Sequence, residues 1–169
     1  MPKVYLGLGS NQNREHFITA ALDALRDTFG SLEVSPVYEC ESVGFKGNPF
    51  FNLVVSLETS LSVGELSRCL KTIENNHGRD RNASKYSPRT LDIDILLYGD
   101  YVGVFEGVDL PRGEITENAF VLRPLADLAP DVLHPTLQRS YAQLWRDYAI
   151  PQKLWPIRFK WHEKIMGTR

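Results

Sequence analysis

Apolar positions along the chain switch between strand and helix spacing, and the switches outline its elements. Val4 to Leu8 form a short apolar strand that runs into "GLGSN", a turn signal. From 13 to 29, Phe17, Ala20, Leu22, Leu25 and Phe29 fall at near-helical spacing, with Gly30 as a stop. "SLEVSPVYECES" (31–42) reads as β, with Pro36 marking an edge or a bend. "GFKGNPF" is a Gly/Pro loop, and "FNLVVSLETS" a strong strand. A Ser62-x-x-Glu65 capping box opens the next segment and Gly78 closes it, which predicts a helix. Residues 79–90 are a polar loop, followed by a strand through Leu91, Ile93, Ile95, Leu96 and Leu97. The order β-α-β-β-α-β predicts an α+β, ferredoxin-like core.

Beyond that core the pattern predicts short helices and additional strands. "YVGVFEGVDLP" reads as a strand or hairpin, and "TENAFVLRPLADLAP" as one short helix capped by Thr116 or Asn118 and stopped near Pro130. "SYAQLWRDYA" is a last helical patch. In the tail, Trp155, Ile157, Phe159 and Trp161 alternate with Pro156, Arg158 and Lys160, which is strand periodicity, and Pro156 confines such a strand to an edge. We expect one domain over 1–150 and an extension over 151–169, either an edge strand or arm on the core or an intermolecular contact.

Composition narrows the picture a little. The chain has 169 residues, 43% hydrophobic and 24% charged, with a formal net charge of −2, which suits a packed core and gives no large basic surface for nucleic acid. Cys40 and Cys69, the two cysteines, have no metal-type spacing. The N-terminal apolar run is too short for a signal peptide and no run reaches membrane-spanning length, so we expect a cytoplasmic protein, monomeric or dimeric through its tail.

The chemistry gathers at "SPRTLDIDILLYGD" (87–100). Asp92 and Asp94 stand two apart in an otherwise apolar strand, so their carboxylates share a face, and burying charge there costs several kcal/mol or more unless it is compensated. Just upstream, Arg79, Arg81, Lys85 and Arg89 crowd a polar loop. Carboxylates without His or Cys suit Mg²⁺, which completes its shell with water and phosphate oxygens, and arginines suit phosphates. The alternative is salt bridging between the two sets and nothing more.

"GRDRNASKYSPRTLDIDILLYGD" resembles the signature of the 6-hydroxymethyl-7,8-dihydropterin pyrophosphokinase family, whose core runs Pro-Arg, one residue, Leu or Ile, Asp, Leu or Ile, Asp. "YLGLGSN", "FFNLVVSLET" and "AFVLRPLADLAP" match in the family's order, so the resemblance spans roughly 3–145. It implies pyrophosphate transfer from ATP to the pterin hydroxymethyl group, with AMP released, in folate biosynthesis. Asp92 and Asp94 would hold two Mg²⁺ ions, and Arg79 and Arg89 would stabilise the transferring group. Lys71, Glu74, Arg81, Ile95 and Arg112 would contact ATP. Phe50 and Phe120 would sandwich the pterin, Asn52 would bond its edge, Val43 and Gly44 would touch it, and Tyr86 would help close the site.

The chain departs from that family in three places. A family His is Arg112 here, a family Arg is Asn118, and "CESVGFKGNP" lacks the usual Thr-x-Pro. These departures motivate a second reading, a relative with another pterin substrate or a non-catalytic pterin- or nucleotide-binding module. An RNA-binding ferredoxin-like domain needs an aromatic and basic strand face, and the acidic chain has only Phe105 on the relevant strand.

Overall fold

The computed structural model describes residues 1–41, 48–77 and 91–162, together with the backbone of 164–166. The elements are β1 (Lys3–Ser10), α1 (Arg14–Phe29), β2 (Glu33–Val34), β3 (Val37–Cys40), β4 (Phe50–Glu58), α2 (Val63–Asn76) and β5 (Asp92–Tyr98). They continue with β6 (Gly103–Phe105), β7 (Val108–Leu110), α3 (Glu114–Glu117), α4 (Ala119–Leu128), α5 (Tyr141–Arg146), β8 (Leu154–Ile157), β9 (Phe159–Trp161) and β10 (Lys164–Met166).

The main sheet runs β5-β1-β4-β3-β8, with β2 also on β4, and its pairs are all antiparallel. Counting β2 and β3 as one broken strand, the first six elements are the predicted ferredoxin-like β-α-β-β-α-β. The break has a local cause. Pro36 cannot donate to a ladder, and Ser35 bonds Val54 twice, its N–H donating to the carbonyl and its hydroxyl accepting the Val54 N–H.

Strand alternation splits the core into two layers. Val4, Leu6 and Leu8, with Leu53, Val55, Ile93 and Ile95, pack against Ile18, Leu22 and Leu25 of α1 and Leu66 and Leu70 of α2. On the opposite face Tyr5, Val54, Leu96 and Leu97 pack against Ile115, Leu122, Leu125 and Tyr141 of α3 to α5. A register shift at Tyr5/Leu6 leaves Leu96 without a ladder partner, which lets Leu96 and Leu97 both face the second layer.

Three expectations change. The first strand, expected over Val4 to Leu8, continues through Gly9 to Ser10 instead of turning after Leu8. The helix expected across 116–130 is two helices, α3 and α4, separated by extended backbone at Asn118. The alternating tail is two strands in different sheets: β8 joins β3, placing Pro156 opposite Tyr38, while β9 pairs with β10.

Candidate active site

The register lines up the residues singled out in the sequence. Asp92 pairs with Gly9, Gly9 with Asn52, and Asn52 with Tyr38; one step along, Asp94 pairs with Gly7 and Gly7 with Val54. Paired residues share a face, and Val54 belongs to the second layer, so Asp92, Asp94 and Asn52 all project toward the α4 side. Gly7 and Gly9 leave that face bare between the aspartates and β4. A Cβ on Gly9 would stand 2.8 Å from Asn52 Oδ1 and 3.6 Å from Phe50 Cδ2. One on Gly7 would stand 3.4 Å from Leu96 Cδ2. The sequence reading missed this floor, because two glycines before Ser-Asn signal a turn as readily as a close approach.

Strand β5 is the sheet's edge, and a cleft of about 540 Å³ wraps around it. Asp92, Asp94 and Ile95 line it from the strand, Lys71 and Glu74 from α2, and Arg112 from beyond β7. Glu74 is buried, and its Oε2 accepts the Ile93 N–H at 2.7 Å, fixing the strand between the two aspartates. Ile95 keeps its side chain in the first core layer. The Arg112 N–H donates to the Leu96 carbonyl at 3.0 Å. Its guanidinium lies 2.6 Å from Glu114 and 3.7 Å from Asp94. Burial pulls the Arg112 pKa down, but the Asp94 and Glu114 carboxylates outweigh it and hold the value above the usual arginine range. The cation therefore persists beside Asp94.

The far wall of this cleft comes from the β6–β7 hairpin, through Gly107 to Asp109. Glu106 and Gly107, both with positive φ, form its two-residue turn. The Glu106 carboxylate accepts the Gly64 N–H and the Ser62 hydroxyl, clasping the hairpin to the N-terminus of α2. Nothing in the sequence around Glu106 had marked this contact.

On the other side of the glycine floor, Phe50 and Asn52 of β4 neighbour Cys40 and Tyr38 of β3. A second cavity of about 500 Å³ is lined by Cys40, Glu41 and Phe120 together with Pro151 to Leu154. Burial pushes the Cys40 thiol up to about 12, so it is a neutral wall and not a nucleophile. Tyr38 is likewise raised to about 12, by burial and by its hydrogen bond to Asp127, and Arg123 Nε donates to its oxygen at 3.0 Å. Asn118 turns its amide to Glu114 at 3.4 Å and meets Gln152 at 3.3 Å. Val43, Gly44, Arg79, Arg81, Lys85, Tyr86 and Arg89 lie outside the described residues.

A divalent cation suits the donor set. Among the described residues no three His, Cys, Asp or Glu side chains gather as ligands, and Asp92 and Asp94 offer the hard oxygens that suit an ion sharing its shell with water and a ligand's oxygens. Mg²⁺ tolerates such a shell.

Comparisons with known proteins bear on this arrangement. The profile of the 7,8-dihydro-6-hydroxymethylpterin-pyrophosphokinase family matches residues 5–130. A 2-amino-4-hydroxy-6-hydroxymethyldihydropteridine pyrophosphokinase of Aquifex aeolicus is 37% identical over 142 residues, covering 82% of this chain and 88% of that protein. Its counterpart in Pseudomonas aeruginosa is 41% identical over 138 residues, covering 79% and 84%. The folic acid synthesis protein fol1 of Schizosaccharomyces pombe is 41% identical over 135 residues, but the chain spans only 18% of its length. The crystal structure of Plasmodium falciparum HPPK-DHPS superposes with a TM-score of 0.66 at 14% identity, over 87% of this chain and 44% of that one, a likeness of fold.

Proposed function

The chain belongs to the 7,8-dihydro-6-hydroxymethylpterin-pyrophosphokinase family of folate-synthesis transferases, and on that premise we propose that it moves pyrophosphate from ATP to 6-hydroxymethyl-7,8-dihydropterin at the glycine-floored end of the sheet. The observation that carries the reading is the placement of Asp92 and Asp94 on one face of β5, across bare Gly9 from Asn52, with the β5-edge cleft alongside.

In this reading Asp92 and Asp94 hold Mg²⁺, two ions in all, which neutralise phosphate charge and lower the barrier to attack by the hydroxymethyl oxygen. Lys71 and Arg112 line the cleft as cations for the triphosphate, while Glu74 keeps β5 in register through Ile93. Ile95 lends backbone to the nucleotide. Asn52 bonds the pterin edge, and Phe50 and Phe120 flank the ring. Arg79, Arg81 and Arg89 serve the phosphates, with Val43, Gly44 and Tyr86 completing the pterin side, all by resemblance. Transfer needs mainly positioning and charge stabilisation, so no protein nucleophile is required. The substrates point to a cytoplasmic enzyme.

The test is an AMP-release assay with 6-hydroxymethyl-7,8-dihydropterin, ATP and Mg²⁺, repeated in EDTA. Metal-dependent AMP with pyrophosphorylated pterin is expected. Asp94→Ala should lower kcat by roughly a thousand-fold, since a catalytic metal contributes several kcal/mol and about 1.4 kcal/mol is tenfold, with an unchanged circular dichroism spectrum. Full activity in that variant, or pterin binding without any AMP from the wild type, would overturn the reading.

A further inference from the structure

Helix α4 starts without its own cap. Asn118, at the N-cap position, makes no side-chain bond to the helix. The first N–H of the helix, at Ala119, instead donates to Gln152 Oε1 at 2.6 Å, across 33 positions of sequence. The other end of the same amide donates to Asn118 Oδ1 at 3.3 Å and to the Glu117 carbonyl at 3.4 Å. That carbonyl also accepts the Tyr148 hydroxyl at 2.6 Å. One side chain thus grips three consecutive residues, and the next residue is Phe120.

Gln152 is itself firmly seated. The Glu41 N–H donates to the Lys153 carbonyl at 3.2 Å, and β8 then pairs Leu154 with Cys40. Gln152 and Phe120 line the same cavity of about 500 Å³, and Cys40 and Glu41 close its opposite side. The residue lies outside the stretch 5–130 that the family profile matches.

We propose that Gln152 is a positioning residue for the pterin: by capping α4 from outside, it sets the Glu117–Ala119 turn and holds Phe120 in the wall of the pterin site. The inference rests on the reading of Phe120 given above. A residue that merely stabilised the fold would change melting temperature and active fraction, leaving the affinity of the folded enzyme for each substrate alone. A positioning residue changes the affinity for the substrate whose wall it holds.

The experiment measures binary pterin affinity by fluorescence and steady-state kinetics in both substrates, for the full chain and its variants. Gln152→Ala should raise the pterin Kd and KM about three- to ten-fold, the scale of one or two lost hydrogen bonds, with KM for ATP and kcat as in the wild type. Gln152→Glu keeps an acceptor for the Ala119 N–H but sets an oxygen against the Glu117 carbonyl and Asn118 Oδ1, so it should recover only part of the pterin affinity. Wild-type pterin affinity in Gln152→Ala, or equal losses for both substrates, overturns the proposal. If Gln152→Ala does not fold, Gln152→Asn, whose shorter amide falls short of Ala119, decides by the same criterion. No pterin binding by the wild type overturns the pterin reading together with this inference, whereas wild-type pterin binding with an unaltered variant overturns this inference alone.

Discussion

At position 9 a hydrogen stands where any other residue would place a carbon 2.8 Å from Asn52 Oδ1. Gly9→Ala must push the Asn52 amide aside, and overpacking of this kind costs about 1–3 kcal/mol. On the proposed role of Asn52 at the pterin edge, the expected result is a pterin KM raised about tenfold or more, with a smaller change for ATP, by steady-state kinetics. Tyr38 gives a second expectation, with a definite sign. Its folded pKa, about 12, lies above the ordinary value of 10.0. The unfolded state therefore loses this proton first, and the contribution of Tyr38 is complete below pH 10 and fades as pH rises toward 12. Denaturant midpoints should fall across that window, and less steeply in Tyr38→Phe. The aspartates were legible in the sequence because charge at a spacing of two interrupts an apolar run. Gly9 was not, because it resembles a turn; Glu74 was singled out only through the family resemblance, as a nucleotide contact, and its buried bond from the Ile93 N–H had no sequence signal.

Between elements, contacts decide the shape of both cavities, and few had a sequence signal. The Ser62–Glu65 capping box was legible, and the structure contains it. That Glu106 reaches the same helix end from a hairpin 42 residues away was not, because only the fold brings the turn there. Glu106→Ala should cost about 1 kcal/mol, near the value of a helix cap, and should raise KM for ATP more than KM for pterin, because the hairpin walls the β5-edge cleft. Equal effects on both substrates would mean that the hairpin does not shape the nucleotide side. Helix α4 shows the same limit on local reading. Thr116 and Asn118 both look like caps in sequence, yet Gln152 supplies the bond.

Across the molecule, the ferredoxin-like core was legible in the order of elements, whereas the second apolar layer, with α3 to α5 on the opposite face of the sheet, needed the structure. The edges needed the structure. Strand β5 has Glu74 and Arg112 bonded along its outer side, and β8 covers β3. Among the described residues, no helix is long and apolar enough to cross a membrane. Cys40 is buried at the β3–β8 edge, whereas Cys69 is partly exposed. Thiol labelling of the native protein at pH 8 should therefore modify Cys69 well before Cys40, whose reaction should follow detachment of β8. Equal labelling rates would show that β8 does not stay on the sheet.

The β3–β8 seam has a kinetic consequence. Trp155 Nε1 donates to Glu39 at 2.9 Å across 116 positions, so forming the seam means closing a very long loop. Loop-closure entropy makes such a contact a late one, formed after the more local pairings. Interactions absent from the folding transition state act on the unfolding rate. Trp155→Ala should then speed unfolding in stopped-flow chevrons and leave refolding nearly unchanged, which makes the last strand to dock a brake on the molecule's disassembly.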